Sequence, residues 1–296
     1  MSRAAWRLCA LVLVACLGFC GCGKSRDKKL VIGSKFFTEQ VVLAELLAQH
    51  IAAKTGAPIE RKTNLGGTLL VQKALLAGQV DVYVEYTGTA LTAVLGERPE
   101  GDSAAVYRRV KEEYAKRFQL AVTEPLGFEN TFAMVIRGED ARNLHLVKTS
   151  DIASVTPKWS IGVGYEFLER PDGFTGWSQR YGLRFSSTPK EMDLGLLYRA
   201  LMEKQVDIVA GNSTDGVIAA RRLVILEDDR RYFPPYDAVP IVREDTLNRF
   251  PGLRETLAEL GGKITAAEMR QMNYAVDGEQ RDVRDVVREF REKKAL

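Results

Sequence analysis

Cysteine and histidine are scarce in this chain, which narrows the kinds of site that it can build. The 296 residues include four cysteines and two histidines. All four cysteines lie near the N-terminus: Cys9, Cys16, Cys20 and Cys22. The chain that follows them has no disulfide framework and no thiol nucleophile. His50 and His145 alone are too few for a zinc or iron centre of ordinary composition, so we expect no metal site and no cofactor.

An excess of one charge is also missing, and so is any long apolar run after residue 22. The chain has 42 basic and 39 acidic residues, and loss of the first 21 residues would leave 40 against 39, a formal net charge of +1. A nearly balanced surface does not favour nucleic acid or an anionic membrane as a partner. A membrane span needs ~20 apolar residues in succession. The sequence therefore predicts neither a nucleic-acid-binding protein nor a permease.

The N-terminus has the pattern of a secretory signal peptide. Arg3 and Arg7 precede an apolar run at residues 8–19, and Gly21 stands directly before Cys22. A cysteine at the cut resembles the bacterial lipobox, in which the new N-terminal cysteine is acylated. We predict a lipoprotein signal peptide at 1–21, lipidation at Cys22 and a tether at 22–29. An ordinary cleaved signal followed by a chance cysteine is the alternative. Phe19 replaces the aliphatic residue usual at its position, which leaves the exact cleavage site open.

Beyond the tether, strand-like and helix-like segments alternate. Strands are predicted at 30–33, 80–84, 131–136, 159–163 and 206–210, and helices at 38–55, 68–78, 104–118 and 192–204. Thr38 is the expected N-cap of the first helix, and Thr265 with Glu268 forms a capping box before the helical C-terminal part. This alternation indicates an α/β fold with mostly parallel sheets, and the length suits two domains of ~100–150 residues.

One segment of the sequence occurs twice. Residues 74–82 (ALLAGQVDV) return as residues 200–208 (ALMEKQVDI). Each copy has the pattern of a helix end, a tight turn and a buried strand, which predicts two similar lobes facing each other. Ligands of open α/β sheets bind beyond the carboxyl ends of the strands. In the shared register Tyr86 corresponds to Asn212, so both side chains are expected to face a cleft between the lobes.

Five short segments, in order, resemble those of one family of transport proteins. They are 33–40 (GSKFFTEQ), 64–68 (NLGGT), 85–89 (EYTGT), 213–216 (STDG) and 233–236 (FPPY). Together they are similar to the glycine betaine/choline/carnitine substrate-binding proteins of ABC importers, over roughly residues 30–245. The resemblance implies an α/β, two-lobed periplasmic-binding-protein fold of type II-like topology, with the ligand cleft between the lobes.

The resemblance also implies a domain organisation and a function. The first lobe is expected to be discontinuous, from 28–129 and 238–296, and the second to span 130–237, with hinges near 128–130 and 236–242. The protein would be an extracytoplasmic, lipid-anchored monomer, periplasmic or on the cell surface. It would deliver a quaternary ammonium compound or a betaine-like zwitterion to an ABC permease and ATPase, without catalysing a reaction.

The chemistry of such a ligand explains the residues that the resemblance assigns to it. A quaternary ammonium has no N–H to donate, so aromatic faces hold it through cation–π attraction. Its carboxylate, where present, needs cations and hydroxyls. The walls of the cation site are then Tyr86, Phe132 and Tyr236, the carboxylate site is Lys35, Thr89 and Arg170, and Asn130 and Asn212 complete the ligand-binding set.

Two positions depart from the family, and they leave the ligand open. Phe132 and Asn212 stand where betaine binders often have tyrosine. Phe132 keeps the aromatic ring and loses only the hydroxyl, whereas Asn212 removes the ring. One aromatic wall is therefore missing unless Trp177 or Tyr165 replaces it. The amide of Asn212 suits a more polar zwitterion, such as ergothioneine or an amino-acid-like compound.

Two other classes of protein remain as alternatives. A periplasmic dehydratase would need an acid or base such as Asp215 or Glu85, although Asp215 also suits the start of a helix. A sensor or adhesion lipoprotein would use the same fold without transport.

Overall fold

The computed structural model describes residues 29–98 and 102–296. The predicted signal peptide, Cys22 and almost all of the tether lie outside these residues. The described chain forms two five-stranded mixed sheets with helices packed on their faces. The predicted α/β class is confirmed.

The two sheets have the same strand order. The strands are β1 (Leu30–Gly33), β2 (Ile59–Lys62), β3 (Val82–Tyr86), β4 (Leu120–Val122), β5 (Phe132–Arg137), β6 (Ile161–Val163), β7 (Lys190–Glu191), β8 (Ile208–Asn212), β9 (Leu223–Ile225) and β10 (Ala238–Arg243). The first sheet has the order β2-β1-β3-β10-β4, and the second β7-β6-β8-β5-β9. The first three strands of each order run parallel, and the fourth, β10 or β5, is antiparallel to its neighbours.

Thirteen helices surround the sheets in the described residues. They are α1 (Thr38–Thr55), α2 (Thr68–Leu76), α3 (Thr87–Thr89), α4 (Ser103–Phe118), α5 (Gly138–Asn143), α6 (Tyr165–Glu169), α7 (Phe174–Tyr181), α8 (Leu194–Met202), α9 (Val217–Ala220), α10 (Glu244–Arg249), α11 (Leu253–Ala258), α12 (Ala266–Asp277) and α13 (Val283–Lys294). A π-helical turn at Ala90–Val94 and two 3₁₀ turns, Thr149–Ser154 and Thr156–Lys158, complete the set. Among them, no helix is both long and apolar enough to cross a bilayer.

The helix starts show one correct and one wrong capping prediction. The capping box of Thr265 and Glu268 is present at the start of α12. Thr38 is not the N-cap of α1. That position belongs to Phe37, and the Thr38 hydroxyl donates instead to Asp277 at 2.6 Å. Because Asp277 is 239 residues away in the chain, the local sequence carries no sign of this contact.

Each sheet is covered on both faces, so its central strands are buried. In β3, Val82 and Val84 pack towards α1, α12 and α13, whereas Tyr83 packs towards α2 and α4 on the opposite face. This alternation follows from the two-residue period of a strand. The second sheet repeats the arrangement, with Trp177 of α7 on one face and Leu201 of α8 on the other.

Two neighbouring segments connect the sheets. Glu129 and Asp237 form an antiparallel bridge, the Asn130 N–H donates to the carbonyl of Tyr236 at 3.1 Å, and the Ala238 N–H donates to that of Phe128 at 3.1 Å. In each sheet the antiparallel strand is the one that follows such a crossing. Since β10 begins at Ala238, most of the predicted hinge at 236–242 is regular strand, and the crossing itself is shorter.

The repeated segment occupies equivalent places in the two sheets. β3 and β8 begin at Val82 and Ile208, two residues after the predicted starts at 80 and 206 in both copies. The aspartate before each strand has the same role. Asp81 accepts the N–H of Val31 at 2.8 Å, and Asp207 accepts that of Ser160 at 2.8 Å, which ties each strand to its neighbour.

Candidate ligand-binding cleft

A cavity of about 50 Å³ lies between the two lobes, meaning the first and second sheets with their helices. All eight residues that the sequence assigned to ligand binding line it: Lys35, Tyr86, Thr89, Asn130, Phe132, Arg170, Asn212 and Tyr236. Their sequence positions span 202 residues, from 35 to 236. The structure therefore brings the predicted set together at one place.

Strand ends position several of these side chains. Tyr86 is the last residue of β3 and Asn212 the last of β8. Phe132 opens β5 and pairs directly with Asn212 in the sheet. Because corresponding strands of the two sheets both end at the cavity, Tyr86 and Asn212 face it from opposite sides, as their shared register predicts.

On the first lobe, Lys35 is fixed by its own partners. Its side chain is almost completely buried, forms an ion pair with Glu85 and donates to the Thr68 hydroxyl at 3.0 Å. The Nζ atom lies 5.1 Å from the centroid of the Tyr86 ring, within cation–π range. Glu85 also accepts the N–H of Tyr86 at 2.8 Å. These bonds engage Glu85 as the counter-ion of Lys35, so it is not a free general base.

On the second lobe, Arg170 contacts both an acid and two aromatic rings. Its Nε lies 2.9 Å from Asp172 and its Nη2 2.5 Å from the same carboxylate. Its guanidinium lies 4.8 Å from the Phe132 centroid and 5.8 Å from that of Tyr236. Burial alone would raise the pKa of Asp172, but the bonds and charge of Arg170 outweigh it and lower that pKa. Arg170 thus contacts two of the rings assigned to the cation site, whereas the sequence assigned it only to a ligand carboxylate.

Close backbone packing holds the Tyr236 ring in place. A Cβ atom on Gly88 would lie 2.6 Å from the carbonyl oxygen of Pro235 and 2.6 Å from Cδ1 of Tyr236. The Tyr236 hydroxyl donates to Asp172. Residues 85–89 and 233–236, two of the segments that carry the family resemblance, therefore pack directly on each other.

A buried acid, Glu39, lies behind the cavity and was not predicted. It accepts hydrogen bonds from the Tyr86 hydroxyl at 2.7 Å, from Asn130 Nδ2 at 2.9 Å and from Asn273 Nδ2 at 2.9 Å. Burial raises the pKa of the Glu39 carboxyl, and the hydrogen bonds offset part of that rise. Within the described residues Glu39 has no ion-pair partner. Its position in segment 33–40 was the one sequence signal available.

A second acid, Glu166 of α6, lines the cavity itself and was also missed. Its Oε1 accepts the backbone N–H of Thr68, at the start of α2 in the other lobe, at 2.7 Å. Burial alone would raise the pKa of Glu166. The charges of Lys35 and Arg170 and the Thr68 N–H together lower it instead. No local sequence pattern predicts this contact, since Glu166 and Thr68 are 98 residues apart.

Other aromatic side chains divide between the cavity and the core. Phe37 stacks on Tyr86, with centroids 6.4 Å apart and planes 22° apart, and it lines the cavity together with Tyr165. Trp177 is fully buried between Phe167 and Phe185 and belongs to the core of the second lobe. Of the two residues considered as a replacement wall, the structure brings Tyr165 to the cavity and not Trp177.

A larger cavity of about 500 Å³ adjoins the first one at Asn212. It is lined by Asp215, whose Oδ2 accepts the N–H of Asn212 at 2.9 Å and the Tyr198 hydroxyl at 2.5 Å. Burial raises the pKa of Asp215 from 3.8 to about 6. Asp215 does not cap α9, which has no side-chain cap hydrogen bond. Its side chain instead closes the turn after β8.

Two mixed α/β sheets joined by paired crossings, with a cavity between them, define the two-lobed fold of the periplasmic binding proteins. A solved structure, described as a glycine betaine/carnitine/choline ABC transporter, superimposes with a TM-score of 0.75 at 32% identity. The match covers 90% of this chain and 98% of that one. The predicted fold is confirmed.

The family follows from the sequence comparison. The model of the substrate-binding domain of ABC-type glycine betaine transport systems matches residues 28–293, so the chain belongs to this family. The carnitine transport binding protein OpuCC of Listeria monocytogenes is 34% identical over 275 residues, covering 92% of this chain and 89% of OpuCC. A glycine-betaine-binding protein of Pseudomonas aeruginosa is 34% identical over 294 residues, covering 96% of this chain and 94% of its own.

Proposed function

We propose that this protein is the extracytoplasmic receptor of an ABC importer and binds a quaternary ammonium compound or a betaine-like zwitterion. One observation carries the proposal. Aromatic rings and polar side chains from both lobes, all assigned from the sequence, line a single cavity between the lobes. The names of the relatives support the same class of ligand.

The rings are suited to a cation without N–H groups. Tyr86, Phe132 and Tyr236 present π faces, each worth ~0.5–2 kcal/mol towards a cation, depending on desolvation. Tyr86 and Tyr236 are held by hydrogen bonds from their hydroxyls to Glu39 and Asp172, so little rotamer freedom is left to lose on binding. Thr89 and the cations of Lys35 and Arg170 are the groups proposed for a ligand carboxylate.

Binding is proposed to close the two lobes. The lobes would be 28–129 with 238–296 and 130–237, turning about the paired crossings at Asn130 and Tyr236. Hinge closure around a ligand is the usual motion of periplasmic binding proteins. The closed form of a monomer, anchored through Cys22, would then be recognised by the permease. The protein would release its ligand chemically unchanged, unlike a dehydratase.

Isothermal titration calorimetry tests the proposal. The purified protein is titrated with glycine betaine, choline, carnitine, ergothioneine and unmethylated glycine, and the ligand is recovered afterwards for mass spectrometry. Saturable binding of at least one methylated ammonium compound, with intact ligand recovered, is expected, and glycine serves as the control. Absence of binding for every methylated compound, or conversion of the ligand, would contradict the proposal.

A more polar zwitterion is the second candidate, and Asn212 favours it. Within the described residues the side-chain amide of Asn212 makes no hydrogen bond, although it lines both cavities. Its donor and its acceptor are therefore available to a ligand. Tighter binding of ergothioneine than of choline and glycine betaine in the same titrations would identify this second class.

A further inference from the structure

Among the described residues around the cavity, carboxylates outnumber cations. Each of the two cations has its own carboxylate, since Lys35 pairs with Glu85 and Arg170 with Asp172. Glu166, at the cavity wall, is a further carboxylate, and within the described chain it forms no ion pair. The internal groups therefore neutralise the cations without a ligand carboxylate.

Glu166 also occupies the place that best suits an anion. The N-terminus of a helix attracts negative charge through its free N–H groups and its dipole. Glu166 accepts a hydrogen bond from the backbone N–H of Thr68 at the start of α2. The charges of Lys35 and Arg170 act on the same carboxylate. Gly67 leaves room for it, because a Cβ there would lie 2.8 Å from Glu166 Oε1.

We propose that Glu166 determines specificity by acting as an internal carboxylate in the anion-binding corner formed by Lys35, Thr68 and Arg170. A ligand carboxylate would have to displace Glu166 or lie beside a like charge. The site therefore prefers a quaternary ammonium without a carboxylate. Choline fits this class better than glycine betaine does. The inference rests on the proposed function and narrows it to the cationic members of its ligand class.

The test compares choline with glycine betaine by calorimetry in the wild type, Glu166→Gln, Glu166→Asp and the control Glu169→Gln. Glu169 lies on the same helix but is exposed and is not among the residues that line the cavity. We expect the wild type and Glu169→Gln to bind choline at least tenfold more tightly than glycine betaine. Glu166→Gln should strengthen the binding of glycine betaine and so bring the ratio of the two affinities below about threefold. Glu166→Asp keeps the charge and should retain a preference for choline.

The outcomes separate this inference from the proposed function. Wild-type protein that binds glycine betaine as tightly as choline overturns the inference and leaves the proposed function standing. Glu166→Gln that weakens both ligands equally overturns it too, because Glu166 would then serve only to hold the lobes together. No binding of any quaternary ammonium compound by the wild type overturns the proposed function, and the inference with it.

Discussion

Tyr86 offers a way to separate the contribution of a ring face from that of the hydroxyl that positions it. Its ring lines the cavity, while its hydroxyl donates to the buried Glu39 at 2.7 Å. Tyr86→Phe removes the hydrogen bond and keeps the ring, whereas Tyr86→Ala removes both. The two substitutions should therefore affect stability and binding in different proportions.

The magnitudes follow from the contacts. Loss of one partner of a buried hydrogen bond costs ~1–3 kcal/mol, and each kcal/mol lowers Tm by roughly 2–4 °C in a domain of 150–250 residues. Tyr86→Phe should thus lower Tm by several degrees while affinity changes by less than about threefold. Tyr86→Ala should also lose a cation–π contact of ~0.5–2 kcal/mol, or about 2- to 30-fold in affinity.

Calorimetry with choline and a thermal-unfolding scan measure both effects. Tyr83→Phe is a matched control, because its hydroxyl also contacts a buried carboxylate, Glu85, at 3.1 Å while its ring packs on the opposite face of β3. The control should lose stability without losing affinity. Wild-type affinity in Tyr86→Ala would refute the ring contact, and an equal loss in Tyr86→Phe would show that the hydroxyl, and not the ring face, carries the binding.

Three further predictions concern other parts of the chain. Cys22→Ala should abolish radiolabelled palmitate incorporation and release the protein from the membrane fraction, and continued labelling would mean that the lipidation site is misassigned. Asn212→Tyr should strengthen binding of choline and glycine betaine in calorimetry and weaken that of a polar natural ligand by ~1–3 kcal/mol, whereas unchanged affinities would exclude Asn212 as a selectivity residue. Burial raises the pKa of Asp215 from 3.8 to about 6. Between these two pH values the Asp215 carboxyl is protonated in the folded state and ionised in the unfolded state. The free energy of unfolding should therefore fall by up to about 3 kcal/mol as pH rises from 4 to above 6, and urea titrations should show this fall in the wild type but not in Asp215→Asn.

The amino-acid sequence alone was enough to predict the class of fold and eight of the residues that line the cavity, although it missed others, among them Glu166. The alternation of helical and strand patterns predicts the class of fold, whereas the resemblance to the family implies the cavity residues. The repeated segments also predicted part of the cavity, from their shared register. β3 and β8 both begin two residues later than predicted, and the correspondence of Tyr86 with Asn212 was unaffected because the shift was the same in both.

The tertiary structure alone decided how the groups in the cavity are partnered. Glu166 meets the Thr68 N–H across 98 residues, Thr38 binds Asp277 instead of capping α1, and Arg170 lies against Phe132. Trp177, one of two residues considered from the sequence as a replacement wall, lies in the core. Each of these outcomes depends on which elements tertiary packing brings together, within one lobe or between the two. Local sequence patterns encode backbone conformation and amphipathic faces, and they do not encode which distant charge meets which helix end.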